Sequence, residues 1–329
     1  MRLPRSVFLA LMLGAALFAA LLLREGVQAV AGGFTRAGWW IALITLFHVL
    51  PLLFDGAAIT VLLPASPGCA LSIRRVFLGA LSRWIGESVN TLLPAAQVGG
   101  ALAMARALVL RGERLADAGA AVAGSQIQQV FAQIPFTLFS CALLLAGVPD
   151  RRLGVALGVL VLLAAIATAI WLRLQHHDLF SALTGRLLKP FKPQLRQRLI
   201  ERAARLDHAL AGIHRRKDLL AASLLLSMAG WFAGGGEVWL AFYALGRPVT
   251  AAQSLGIESA AQAARALAFM IPGGLGVQEG GVLLVTGMLG IPSSLALSSS
   301  LLKRAREILL AVPGLLVWRI LEHRKPLKI

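Results

Sequence analysis

The sequence predicts an all-α integral membrane protein, a polytopic bundle of transmembrane helices. Hydrophobic residues make up 58% of the 329 residues and charged residues only 14%, whereas soluble proteins carry about a quarter charged residues. Several apolar runs reach roughly 18 or more residues, the length that a helix needs to cross a bilayer. We therefore expect a single transmembrane domain over residues 1–329, organised as two repeat-like halves.

The charge distribution points to membrane lipids as partners. The chain has a formal net charge of +17, and its basic residues lie mostly between the apolar runs, as in the cytoplasmic loops of membrane proteins. This pattern favours anionic headgroups over nucleic acid. Cys69 and Cys141 supply neither a disulfide framework nor metal-ligand spacing, so no metal or cofactor is expected.

The first half, residues 1–172, contains the first predicted spans. We interpret the run 6–23 as a retained helix with a cytoplasmic N-terminus, because it is long for a signal peptide and lacks a clear cleavage site. Trp39 and Trp40 begin the next run, as interface anchors do. Further spans are predicted at 39–63, 115–147 and 153–172.

A basic hydrophilic segment, residues 173–218, separates the halves and is expected in the cytoplasm. Apolar residues recur in it at helical spacing: Leu195, Leu199, Ala203, Leu206 and Leu210. This spacing predicts an amphipathic helix lying on anionic lipid, with a solvated linker helix as the alternative.

The second half, residues 219–329, opens with an apolar run, 219–245, in which glycines and Glu237 interrupt the pattern. A polar group then precedes the last apolar segment, which ends at Ile320; this group is Lys303, Arg304, Arg306 and Glu307. The basic C-terminal tail is expected in the cytoplasm.

Two polar, glycine-rich segments, 76–114 and 251–281, resemble each other. The first carries an arginine, an acid and an amide on one helix face, then a proline and glycines: Arg83, Glu87, Asn90, Pro94, Gly99 and Gly100. The second repeats these residue types: Glu258, Gln262, Arg265, Pro272, Gly273, Gly274 and Gly276. Paired interrupted segments mark the binding site of many transporters. Whether each segment crosses the membrane or re-enters it stays open.

The polar residues of these segments are the candidate site. A charge at the bilayer centre costs about 2.5–3.5 kcal/mol on insertion scales, so these side chains must pair or line a hydrated cavity. We expect ten of them to bind a lipid headgroup: Arg83, Glu87, Asn90, Gln97, Arg106, Glu258, Gln262, Arg265, Gln278 and Glu279. The prolines and glycines named above are expected to act as structural hinges. A purely structural Arg83–Glu87 pair is the alternative for those two residues.

With these motifs in view, the chain resembles the bacterial flippase-like family that forms the transmembrane domain of lysylphosphatidylglycerol synthases. The resemblance rests on residues 90–100 with Arg106, and on residues 271–280; it is closest to the group associated with hopanoid biosynthesis. It implies an inner-membrane protein with re-entrant polar segments and a role in lipid translocation. An acidic residue often follows the first glycine pair in this family, and Ala101 stands there in this chain. The resemblance does not include a soluble aminoacyl-transferase domain, so lysyl transfer is not expected.

The predicted function is movement of a polar-headgroup lipid, a phospholipid or a hopanoid-type lipid, between the leaflets of the inner membrane, without enzymatic activity. One alternative is a non-transporting accessory protein that binds lipid-biosynthesis enzymes. Another is a membrane transferase acting on an isoprenoid lipid, which would need a catalytic base and usually a metal.

Overall fold

The computed structural model describes residues 27–64, 72–93, 98–147, 193–267 and 275–324, together with Ala20 and Leu23. All regular secondary structure within these residues is α-helical, which confirms the predicted fold class. Several predictions fall on other residues: most of the 6–23 helix, the 153–172 span, Pro94, Gln97, Pro272, Gly273, Gly274 and the C-terminal tail. These lie outside the described residues.

The helices of the first half are α1 (Val27–Ala37), α2 (Trp40–Phe47), α3 (Val49–Thr60), α4 (Ile73–Leu92), α5 (Val98–Leu110) and α6 (Leu115–Gly147). Those that follow are α7 (Pro193–Arg215), α8 (Lys217–Ala244), α9 (Ala251–Leu267), α10 (Val277–Met288) and α11 (Ser293–Arg324). Among the described residues, three stretches are long and apolar enough to cross a membrane: Trp40–Thr60, Leu115–Ala146 and Lys217–Ala244.

The first of these stretches is interrupted near its centre, at His48. Helix α2 ends at Phe47 and α3 begins at Val49. Pro51 lies one turn further on and has no N–H to donate to the carbonyl of Phe47, so the regular hydrogen-bond ladder is broken there. The interruption leaves His48 at the junction of two helices inside a largely apolar span.

The long helices of the two halves run in opposite directions. Near one end of α3, Ser223 Oγ of α8 donates to the carbonyl of Ala58 at 2.9 Å, and near the other end His48 contacts Glu237. Helix α8 is therefore antiparallel to α3. Leu62 faces Gly124, and Gln129 Nε2 donates to Asp55 Oδ2 at 2.7 Å, so α6 is also antiparallel to α3.

Helix α11 completes the arrangement, because it runs parallel to the helices at the start of the described chain. Ser298 faces Gly33 of α1, and about two turns further along α11 Arg306 reaches His48. Each half therefore contains a long helix, a pair of shorter helices and a second long helix, with the directions of the long helices exchanged between the halves. Such an order is that of an inverted repeat.

The shorter helices form two closely packed pairs, α4 with α5 and α9 with α10. In the first pair, Asn90 Oδ1 accepts a hydrogen bond from the backbone N–H of Gly100 at 2.9 Å. Ser82 Oγ donates to the carbonyl of Met104 at 3.0 Å, so α4 and α5 are antiparallel. In the second pair, Gly281 lies against the backbone of Ala260.

Two details of the second half differ from the sequence interpretation. Helix α8 continues without interruption through Gly234, Gly235 and Gly236, where the missing side chains admit neighbours such as Phe47 and Leu255. The polar group Lys303–Glu307 lies in the middle of α11 rather than ahead of a last helix. A hydropathy pattern predicts a helix boundary at a dense group of charges, because it contains no information about the partners of these charges on other helices.

The linker helix α7 packs against protein along its apolar side. Leu206 faces Gly119 of α6, and Leu210 faces Gly124. The apolar stripe predicted from the sequence therefore contacts the bundle at these positions, instead of lying on lipid.

The contact between α3 and α4 is a backbone-to-backbone contact, and it yields a stability prediction. A Cβ atom at Gly79 would lie 2.0 Å from the carbonyl oxygen of Gly56. We expect Gly79→Ala to destabilise the protein by about 1–3 kcal/mol or more, because backbone atoms cannot move aside as a flexible side chain does. Thermal unfolding of the purified protein in detergent measures the change.

The matched control is Gly287→Ala, in helix α10. Nothing lies within 4 Å of a Cβ at that position, and alanine is favoured over glycine in a helix by about 0.5–1 kcal/mol. An unfolding temperature for Gly79→Ala equal to that of Gly287→Ala would contradict the proposed close packing.

Candidate functional site

A cavity of about 330 Å³ lies inside the bundle. It is bordered by His48 and by residues of α3, α4, α5, α6, α8, α9, α10 and α11, and nine acidic or basic side chains line it. On α6 and α8, the residues that line it lie between two apolar clusters, one toward each end of the helix. The polar surface is therefore placed in the middle of two helices that are long and apolar enough to span a membrane.

Arg83 of α4 is the centre of the first group of paired charges. Its Nε donates to Glu87 Oε1 at 2.9 Å, and its Nη2 lies 3.1 Å from Asp55 Oδ2 of α3. Its Nη1 donates to Gln129 Oε1 of α6 at 3.2 Å. The guanidinium thus joins three helices, which is more than the structural Arg83–Glu87 pair considered from the sequence.

His48 lies at the centre of the second group. Its Nδ1 is hydrogen-bonded to Glu237 of α8, and its Nε2 lies 3.1 Å from Glu87 Oε2. Glu237 also accepts from Arg306 Nη2 of α11 at 3.0 Å. His48, Glu237 and Arg306 are all buried, so this group connects both halves of the chain inside the bundle.

Helices α9 and α11 are joined by Glu258 and Lys303. Lys303 Nζ donates to Glu258 Oε2, and Gln262 Nε2 donates to Glu258 Oε1 at 2.8 Å. Gln262 therefore bonds to Glu258, which lies four residues before it on the same face of α9. Arg265, on that face as well, pairs with Glu307 of α11 at 3.4 Å.

Glu279 anchors the last group from outside the cavity lining. Its Oε2 accepts from the backbone N–H of Gly276 at 2.7 Å, which caps the start of α10. Its Oε1 accepts from Arg304 Nε at 3.0 Å. Arg304 also donates to Glu307 at 3.0 Å, and Glu307 holds Arg265. Glu279 thus acts on the cavity through Arg304 and Glu307.

The paired charges explain why the bundle tolerates so many ionised groups. Taken together, the groups hold six carboxylates, from Asp55, Glu87, Glu237, Glu258, Glu279 and Glu307, and five basic side chains, from Arg83, Arg265, Lys303, Arg304 and Arg306. Charged groups within membrane spans are rare, face the bundle interior or a cavity, and mark binding sites or translocation paths.

One comparison with known proteins identifies the family. The family described as the lysylphosphatidylglycerol synthase TM region matches residues 7–314, which is most of the chain. The chain belongs to that family. No curated protein and no solved structure matches it. Family membership and the apolar helices together make it a multi-pass membrane protein, whereas the resemblance to the hopanoid-associated group stays a prediction.

In this member of the lysylphosphatidylglycerol synthase TM-region family, seven of the ten predicted headgroup residues line the cavity: Arg83, Glu87, Asn90, Glu258, Gln262, Arg265 and Gln278. Gln97 lies outside the described residues, and Glu279 stands behind the lining. Arg106 lies apart from the cavity and makes a two-pronged pair with Glu322, at 2.8 and 2.9 Å. The predicted hinge Gly276 has a φ of +78°, which glycine adopts without strain.

Sequence reasoning did not select several residues that line the same cavity. Three glutamines of α6, Gln126, Gln129 and Gln133, are spaced three and four apart, and this spacing was the signal that could have revealed a polar face in an apolar helix. The other ionisable lining residues that were not selected are His48, Asp55, Glu237, Lys303, Arg306 and Glu307.

From sequence alone, a lone histidine such as His48 in an apolar run is readily explained as a core residue with satisfied hydrogen bonds, and Asp55 as an acid at the membrane interface. His48 is indeed buried with hydrogen-bond partners, but both side chains face the cavity. In the part of the chain that the structure describes, no group of three or more histidine, cysteine or acidic side chains is arranged to hold a metal ion.

The Glu237–Arg306 pair allows a test of the network. We expect Glu237→Gln to destabilise the protein by about 3–5 kcal/mol, because it leaves the buried guanidinium of Arg306 without its closest carboxylate. The measurement is thermal unfolding in detergent. Adding Arg306→Met to Glu237→Gln should recover part of the loss, since the uncompensated charge is then gone.

Glu322→Gln is the matched control, because Glu322 belongs to the more exposed pair with Arg106. Exposed pairs contribute about 0–1 kcal/mol. Equal losses for Glu237→Gln and Glu322→Gln would show that the cavity pair is not energetically distinct.

Proposed function

We propose that the protein moves a polar-headgroup lipid between the leaflets of the bacterial inner membrane, with the headgroup passing through the central cavity. The observation that carries the proposal is the placement of a charged, amide-lined cavity between the apolar ends of α6 and α8. Within a membrane span, a charged surface in contact with acyl chains is energetically costly, so it requires either water or a polar ligand.

The size of the cavity suits a headgroup rather than an entire lipid. Its volume of about 330 Å³ is at the lower end of the range for small-molecule sites, about 300–1,000 Å³. The acyl chains would then remain in the hydrocarbon while the headgroup exchanges water for the side chains of the cavity.

Arg265 is the basic residue best placed to meet the headgroup. Among the described residues, its ionic contact is the 3.4 Å contact with Glu307, and about a quarter of its side chain, 26%, is exposed. A phosphate oxygen can accept from its remaining N–H groups in a charge-assisted hydrogen bond. Glu87, whose side chain is 31% exposed, can accept from an amine or hydroxyl of the same headgroup.

The reaction class that we propose is transport without covalent chemistry. Membership of a family named for a lipid synthase supports a role in the handling of lipids, and the inverted order of the two halves is typical of transporters that expose one site alternately to the two sides. The inner membrane as location, and termini in the cytoplasm, are part of the proposal and follow from the distribution of basic residues.

Reconstituted liposomes test the function directly. The probe is phosphatidylglycerol with a fluorescent nitrobenzoxadiazole group on one acyl chain, and dithionite added outside destroys the fluorescence of the outer leaflet only. We expect the protein to expose the inner-leaflet lipid to dithionite. Arg265→Ala with Glu279→Gln should slow this by roughly tenfold or more, since a hydrogen bond to a charged group contributes about 1.5–3 kcal/mol.

Arg247→Ala provides the control, because Arg247 is exposed in the loop between α8 and α9. It should leave the rate unchanged. Translocation by the Arg265→Ala, Glu279→Gln variant at the control rate would remove the site assignment. Absence of translocation by the unmodified protein would favour the accessory role, which association with a lipid-biosynthesis enzyme would then support.

A further inference from the structure

His48 Nε2 has two neighbours with opposite hydrogen-bonding requirements, and its protonation state decides which of them it bonds. Nε2 lies 3.1 Å from Glu87 Oε2, and an ionised carboxylate accepts hydrogen bonds but cannot donate them. It also lies 3.1 Å from Arg306 Nη1, which can only donate. An imidazole nitrogen carries either a lone pair or a hydrogen, so it satisfies one of these neighbours at a time.

Without a proton on Nε2, His48 accepts from Arg306 Nη1. Its other nitrogen, Nδ1, donates to Glu237 in this state, and Glu87 Oε2 then faces a lone pair. With a proton on Nε2, His48 donates to Glu87, and Arg306 Nη1 loses its acceptor. Protonation therefore moves the hydrogen bond of His48 from α11 to α4.

Arg306 is already short of partners before this exchange. Its Nε is buried and has no hydrogen-bond partner among the described residues, although the side chain lines the cavity. A buried donor without an acceptor is costly, and a ligand that supplies one relieves that cost. Once His48 is protonated, two donors of Arg306, Nε and Nη1, lack an acceptor, and they belong to a side chain that lines the cavity.

The charge balance also favours a ligand that supplies an acceptor, provided that the ligand is an anion. In the groups of paired charges defined above, the carboxylates outnumber the basic side chains by one. A proton on His48 makes the two numbers equal, and one monovalent anion then restores the original balance. The charged residues that face His48 across the cavity are Asp55, Arg83, Glu87, Glu237, Glu258, Arg265, Lys303, Arg306 and Glu307, whereas α6 contributes uncharged glutamines.

From this geometry we propose that His48 is a proton-binding site coupled to a phosphodiester-binding site at Arg306, so that the proton and the phosphate of the headgroup enter the cavity together. The proton comes from solution and is held on Nε2 by Glu87, while the phosphate oxygens accept from the released donors of Arg306. The inference deepens the proposed function and rests on it: the lipid would move with a proton, and a pH difference across the membrane would drive it.

Calorimetry on the full-length protein in lipid nanodiscs tests the coupling without requiring translocation. The probe is glycerophosphoglycerol, a phosphodiester that stays ionised near neutral pH. Titrations in two buffers of different ionisation enthalpy report how many protons the protein takes up on binding. We expect uptake that approaches about one proton per ligand on the alkaline side of the transition, with affinity falling about tenfold per pH unit there.

Variants assign the proton to His48. His48→Gln should abolish the buffer-dependent uptake, and Glu87→Gln should shift the transition to lower pH because protonated His48 loses the negative charge that stabilises it. His208→Gln, at an exposed position of α7, should behave as the unmodified protein. Thermal unfolding confirms that each variant is folded, and the unmodified protein tests the coupling by itself.

The outcomes separate this inference from the proposed function. Binding without proton uptake, uptake that persists in His48→Gln, or no binding of the phosphodiester would each overturn the coupled site. Translocation that ignores an imposed pH difference in liposomes would overturn it as well, and would leave the transport function standing. Coupled binding without translocation would overturn the transport function and leave the coupled site standing.

Discussion

The structure depends on the mutual neutralisation of buried charges, and α11 is the element that makes it possible. Four charged residues in five positions, Lys303, Arg304, Arg306 and Glu307, project from the middle of this helix. Each finds a partner on another helix or on α11 itself. Removing ions from water costs several kcal/mol each, and good geometry with complementary ions is what offsets that cost.

The same pairing orders the two halves around the cavity. Arg306 reaches Glu237 of α8 and His48 of the α2–α3 junction, Lys303 reaches α9, and Arg304 reaches α10. Between apolar helices in a membrane no hydrophobic force selects one partner over another, so polar contacts and close packing determine the arrangement. The cavity is thus both the candidate site and the part of the bundle that specifies how its helices meet.

The sequence was sufficient for the fold class and for part of the site. Apolar runs predict spans such as Lys217–Ala244, and the faces Arg83–Glu87–Asn90 and Glu258–Gln262–Arg265 were found because their residues are neighbours on a single helix. The partners of those faces were not found. In the sequence, Lys303 and Arg306 indicate a helix boundary. In the structure, both lie within a helix, because each is close to an acid that is remote in the sequence. His48 likewise became informative only when Glu87, Glu237 and Arg306 were located around it.

The glycine contact between α3 and α4 has a consequence for motion within the bundle. Because the backbones touch at Gly56 and Gly79, these two helices cannot slide past each other without a steric clash. The contact between α4 and α11 includes side chains, such as Trp84 donating to the carbonyl of Leu310 at 2.9 Å. His48 Nε2 lies against Glu87 of α4 and Arg306 of α11, so any movement of α11 relative to α4 would change the hydrogen bonding of this one nitrogen.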